Sequence, residues 1–143
     1  MAKTETLRAS DVVLHQEFRE IVVRQLSRTQ IVQYAGASGD FNPAHTDDIY
    51  AQQVLGVPGV FAHGLLTMGL TGKMLTNLLG ADALRSFSLR LTAQVWPGDT
   101  LETVAIVKEI VREVGKTVAS FDVTTINQNG VVVGKGSVKA TLR

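Results

Sequence analysis

No cysteine occurs in the 143 residues, which excludes disulfides and thiolate metal centres together. Neither sign of charge dominates: the formal net charge is +1, and Lys and Arg are scattered, so there is no basic field for nucleic acid. A Gly-rich phosphate loop and a nucleophile elbow are both missing. Long hydrophobic runs are missing as well. The richest apolar stretch, near residues 63–79, is interrupted by Gly64, Gly69, Gly72, Lys73 and Asn77 and makes a poor membrane span. The opening "MAKTETLRAS" lacks the apolar core of a secretory leader. These absences leave a soluble cytoplasmic protein as the expectation, with neither nucleic acid nor membrane as partner. With 45% hydrophobic and 19% charged residues, and no repeat or linker, residues 1–143 are expected to form one domain. Such a chain buries roughly two-thirds of its unfolded surface.

The order of elements can be read from local pattern. Glu17–Leu26 is β-branched and reads as a strand. Ser27 and Gln30 have capping-box spacing, opening a helix through about Ala37 with Ile31, Tyr34 and Ala35 inward. A short helix follows from Asp47. "HGLLTMGLTGKMLTNLLG", His63 to Gly80, is apolar around most of its circumference, and the pattern predicts a helix buried on all sides. The period then changes to two. Phe87, Leu89, Leu91, Ala93 and Val95 alternate with polar residues, predicting a strand with one wet face. Further strands are expected near 101–112, 117–127 and 131–142, with Val132, Val138, Ala140 and Leu142 on one face of the last and a hairpin at Asn129-Gly130. An antiparallel meander wrapped round the long helix buries all of this, giving an α+β fold.

Chemistry concentrates in "SGDFNPAHTDD", Ser38 to Asp48. Alone, Asp40 is a turn acid and His45 an exposed loop histidine. Between them, Asn42-Pro43 stiffens the backbone, so a carboxylate and an imidazole can be held towards one cleft, as acid–base work requires. Asp40, His45, Asp47 and Asp48 include metal-ligand types. Asp47 and Asp48 sit at a helix start, however, where carboxylates cap and complement the dipole, so no metal is expected. His63 is a candidate second catalytic histidine, but it reads better as structural, with its ring nitrogens satisfied near the start of the buried helix. Gly64 opens the long helix, where free N–H groups could stabilise an oxyanion; close helix–sheet packing explains a glycine there equally well. Tyr34 is expected in the core with its hydroxyl bonded, Trp96 at a rim, and Asp99 in a turn.

"YAGASGDFNPAHTDDIYA", Tyr34 to Ala51, with "FAHGLLTMGL" after it, resembles the active-site blocks of the MaoC-like, (R)-specific enoyl-thioester hydratases and dehydratases. The wording of "HGLLTMGLTG" is similar to the catalytic subunits of heterodimeric (3R)-hydroxyacyl-ACP dehydratases. The resemblance spans nearly the whole chain and implies a hot-dog fold, an antiparallel sheet wrapped around a long central helix. It also implies Asp40 and His45 as the acid–base pair, Asn42 as orderer of their loop, and the Gly64 N–H as the oxyanion donor. Leu65, Leu66 and Met68 become candidates for an acyl tunnel, although each also serves as an ordinary core residue. The implied substrates are acyl-CoA or acyl-ACP thioesters, with no cofactor. The implied assembly is a homodimer, or a heterodimer with a related hot-dog subunit. In two respects the chain departs from the pattern. Ala44 replaces a larger aliphatic, and Gly72 stands where some members carry a supporting serine. The rival readings are a hot-dog thioesterase, which would release thiol, and a non-catalytic acyl-binding subunit.

Overall fold

The computed structural model describes residues 6–143; residues 1–5, half of the stretch read above as lacking a leader, lie outside that range. Its elements are β1 (Glu17–Val23), α1 (Arg28–Ser38), a 3-10 turn (Pro43–His45), α2 (Asp48–Gln53), α3 (Gly64–Leu79), β2 (Leu84–Leu91), β3 (Leu101–Glu113), β4 (Lys116–Asn127) and β5 (Val132–Leu142). The strands form one five-stranded sheet in the order β1-β3-β4-β5-β2, antiparallel at every pairing. α3 packs on β1, β2 and β5. This is the expected α+β arrangement.

Local signals are obeyed where they are strongest. The Ser27/Gln30 capping box is formed in both directions, and Gly39 ends α1 at φ 74°, a left-handed conformation that glycine adopts without steric cost. Ile31 and Ala35 are buried as expected, while Tyr34 is only partly so. β1 stops three residues earlier than read, because Gln25 turns at φ 46° and the Leu26 N–H leaves for the Asp99 carbonyl.

Larger differences arise where burial depends on distant elements. α3 is covered on one side only: Thr67, Thr71, Met74, Leu75 and Leu79 are buried, while Leu65 is 64% exposed and Gly69, Lys73 and Asn77 face out. A single sheet layer shields only the stripe turned towards it. β2 ends at Leu91, and Leu91 and Ala93 are exposed, because none of the described residues covers the strand's inner face there. In β5 the ladder shifts between Thr125 and Ile126, which pair with Gly134 and Val132. Val133 is thus the extra residue and turns inward at 0% exposure, leaving Val132 at 37%. A one-residue slip exchanges the faces of a strand.

The core has two apolar clusters. One gathers Met74, Leu75 and Leu79 with Phe121, Val123 and Val138. The other gathers Leu26, Ile31, Ala62, Val95, Leu101 and Val133. Thr71, Thr103 and Thr125 are also buried, each at 0% exposure. Thr71 Oγ1 donates to the Thr67 carbonyl, so it accepts from Thr125, 2.7 Å away. Thr125 in turn accepts from Thr103, at 2.9 Å. Every hydroxyl in the chain donates once.

Candidate active site

The loop after Gly39 is held by its own side chains. Ser38 Oγ donates to the Tyr34 carbonyl and accepts from the Asp40 N–H. Asp40 Oδ1 accepts from the Asn42 N–H. Asn42 Oδ1 accepts from the Ala44 N–H at 2.9 Å, capping a 3-10 turn whose first residue is Pro43. Asn42 therefore orders the loop through both its backbone and its side chain. Ala44 is buried at 4% exposure and precedes His45, the last residue of the turn.

His45 is partly buried. Its Nδ1 lies 2.7 Å from the Phe61 carbonyl. A carbonyl only accepts, so Nδ1 carries a proton, and in the neutral ring Nε2 is the nitrogen with the lone pair. The Phe61 ring meets His45 edge-on at 5.2 Å, and Trp96 packs against Phe61 at 5.9 Å, which is the rim role expected of Trp96. Asp99 braces the following turn, with Oδ2 accepting from the Trp96 N–H and Oδ1 from Gln128.

His63 departs from its expectation. It is the N-cap residue of α3 and is only 2% exposed. Its Nε2–H donates to the Asp40 carbonyl at 3.0 Å, but Nδ1 is buried with no partner among the described residues. Only one ring nitrogen is satisfied. The ring stacks on His45, with centroids 3.8 Å apart and planes at 28°, and Tyr34 packs on it at 4.8 Å. The Tyr34 hydroxyl, expected to be bonded, makes no hydrogen bond among the described residues.

Asp40, His45 and His63 thus converge, each offering a ligand atom within 4.8 Å of the others. The cluster differs from the metal-ligand set suggested by the sequence. Asp47 is occupied as the cap of α2, accepting from the Ile49 and Tyr50 N–H groups. Asp48 pairs with Arg28 at 2.9 Å and accepts from the Val60 N–H. The Arg28 hydrogen bond, and then the Val60 N–H, hold the Asp48 carboxyl below its ordinary value. As for the remaining three, stacked imidazoles direct their in-plane lone pairs alongside one another instead of onto one point, a poor start for the tetrahedral or octahedral shells of protein metals.

Gly64 begins α3 beside this cluster. The Leu66 and Thr67 N–H groups turn back onto the His63 carbonyl, leaving the Gly64 and Leu65 N–H groups outside the helix ladder. A Cβ at Gly64 would come within 2.3 Å of Leu91 Cδ1. A cavity of about 330 Å³ opens here, lined by Phe61, Gly64, Thr67, Leu91 and Gln94 among others. Of the tunnel candidates, Leu65 is exposed, Leu66 packs on the second core cluster, and Met68 is partly buried. The helix residue that joins Gly64 in this cavity is Thr67. Gly72 has ordinary room beside it, 3.5 Å from Phe87.

The fold is that of the hot-dog proteins. The (R)-hydratase from A. caviae involved in PHA biosynthesis superposes with a TM-score of 0.81 at 23% identity, covering 94% of this chain and all of that one. The chain belongs to the MaoC-like domain family, which matches residues 11–130. It is 32% identical to the (R)-specific enoyl-CoA hydratase of Rhodospirillum rubrum over 94% of this chain and 98% of that protein. It is 44% identical to 3-hydroxyacyl-thioester dehydratase Y of Mycobacterium tuberculosis over 70 residues, 47% of this chain but only 24% of that protein. No helix among the described residues is long and apolar enough to cross a membrane.

Proposed function

We propose that residues 1–143 work as one hot-dog lyase domain that adds water across trans-2-enoyl thioesters to give (3R)-3-hydroxyacyl thioesters, and catalyses the reverse dehydration. One observation carries the reading. A carboxylate and an imidazole with a free Nε2 lone pair face each other within 4.8 Å, beside an open helix N-terminus and a cavity.

The reaction asks for three things. A base takes a proton from the water attacking C3, an acid gives a proton to C2, and a donor steadies the negative charge that develops on the thioester oxygen. One proton shared between Asp40 and His45 meets the first two needs: the unprotonated partner receives from water while the protonated partner donates to C2. A proton passed back across the pair resets it, and dehydration runs through the same states in reverse. The Gly64 N–H, reinforced by the positive end of α3, meets the third. The cavity beside it takes the acyl group. Thr67 lines that cavity with Gly64, whereas Leu65, Leu66 and Met68 do not.

The carrier is CoA or ACP. The open outer edges of β1 and β2 and the uncovered stripe of α3 favour a dimer with a second copy or a related hot-dog subunit. An environment that tolerates a cysteine-free chain, and soluble thioester substrates, suit the cytoplasm. The test is loss of enoyl-thioester absorbance with crotonyl-CoA and then a longer 2-enoyl-CoA, followed by chiral analysis. An (R)-3-hydroxy product supports the lyase. Thiol release from saturated acyl-CoA, without hydration, would replace it with a thioesterase.

A further inference from the structure

His63 has no assigned part in this reaction, yet it touches both members of the pair. Its Nε2–H holds the backbone of Asp40 through the carbonyl, and its ring face lies against His45 at 3.8 Å. It does so from a fixed base. The residue is the N-cap of α3, where its backbone carbonyl accepts from Leu66 and Thr67, and Tyr34 packs against the ring at 4.8 Å. A residue serving only as core filler would satisfy both ring nitrogens or carry none. Here Nδ1 is buried without a donor, so the opposite tautomer would aim a lone pair at the Asp40 carbonyl and strand an N–H. The ring is therefore held in the Nε2–H form by its surroundings.

We propose that His63 is a positioning residue: a buried spacer between α3 and the loop that sets the separation and facing of Asp40 and His45. It contacts neither water nor substrate in this role. The proposal rests on the lyase reading for its kinetic consequence, but its geometry can be tested without it.

The experiment uses the full chain with His63→Ala, His63→Gln and His63→Asn. A glutamine amide reaches the position of Nε2, whereas asparagine carries the same amide one methylene short. Under the proposal, His63→Ala lowers kcat for crotonyl-CoA hydration by about 100-fold with KM within about threefold, because orientation is lost and binding is not. His63→Gln recovers at least about tenfold of that loss and His63→Asn does not. Should the alanine protein fail to fold, the Gln-to-Asn difference carries the kinetic test alone. Equal kcat in those two folded variants, or full activity in His63→Ala, overturns the proposal. If the unmodified protein hydrates no enoyl thioester, the lyase reading falls by itself. The decision on His63 then comes from ring ¹⁵N spectra of the unmodified chain and of His63→Gln. A protected Nε2–H on His63, and His45 signals that stay in place in His63→Gln but shift in His63→Asn, support the spacer. A solvent-exchanging His63 ring, or His45 signals unmoved in every variant, rejects it.

Discussion

Two polar clusters of very different character lie along α3, the first reaching the surface at Asp40 and the second fully buried. At its start are His63, His45 and Asp40; about 12 Å further on, at 1.5 Å per residue, is the chain Thr103–Thr125–Thr71–Thr67. In the threonine chain every hydroxyl donates and the last carbonyl closes the series. In the histidine cluster, Nδ1 of a ring only 2% exposed has no partner. Leaving a buried polar atom unpaired costs about 1–3 kcal/mol. A satisfied network registers one element against another, here α3 against the paired residues Thr103 and Thr125. An unsatisfied one persists where something other than stability is served. The contrast fits a scaffold role for the threonines and the proposed site role for the histidine cluster.

The comparison breaks most visibly at the site. Asp40→Asn keeps the oxygen that accepts from Asn42, and His45→Asn keeps an N–H near the position of Nδ1 for the Phe61 carbonyl. Under the proposed reaction each lowers kcat by about 10³-fold, within the range for a lost general acid or base, while Tm moves by no more than about 3 °C. Parallel loss of Tm and activity would instead make the pair structural. The next largest effect is expected at Gly64. The first helical position tolerates proline, and His63 already has the extended conformation, φ −58° and ψ 136°, that precedes one. Gly64→Pro removes the N–H, whereas Gly64→Ala adds only a Cβ against Leu91. With Leu91→Ala present in both to relieve that contact, the proline variant should be slower than the alanine variant by about 10²-fold in kcat. Equal rates would remove the Gly64 N–H from the mechanism.

At the threonines the sign of the comparison reverses. Thr125→Val leaves the Thr103 hydroxyl without an acceptor, so stability should fall by about 1–3 kcal/mol in urea denaturation, with kcat per folded molecule unchanged. Replacing Thr71, Thr103 and Thr125 together by valine removes both sides of each bond. That triple variant should return to within about 1 kcal/mol of the unmodified protein or exceed it. A triple variant weaker than the single one would mean that the hydroxyls do more than satisfy one another.

How much of this was legible in sequence follows from how far each signal reaches. The Ser27/Gln30 box and the Asn42-Pro43 loop are local, and they formed as read. The inward set of α3 was not legible, because a sequence does not say how many layers will cover a helix. Val132 and Val133 exchanged faces through a register shift decided by pairing with Thr125 and Ile126. His63 was identified as structural because its partner, a backbone carbonyl 23 residues earlier, has no residue type to betray it. Ser38 carried a faint signal, a hydroxyl two residues before an acid. The threonines carried none, since isolated Thr in strands reads as ordinary β-propensity.

The smallest expected effect tests whether the loop is also held from outside. Arg28 at the start of α1 and Asp48 at the start of α2 pair across the base of the loop that carries Asp40 and His45, at 2.9 Å, and Asp48 also takes the Val60 N–H ahead of α3. Both side chains are well exposed, at 56% and 42%, so the pair is screened and weak. Its sign is nevertheless fixed. The folded carboxyl sits below its ordinary value of 3.8, so its contribution is present above that value and disappears as pH falls through the lower, folded one. Asp48→Asn should therefore lower Tm by no more than about 3 °C at neutral pH, less in high salt. The two proteins should converge in acid. A gap that widens on acidification would mean that the stabilising form of Asp48 is the protonated one, which neither Arg28 nor the Val60 N–H favours, and the clasp would fall.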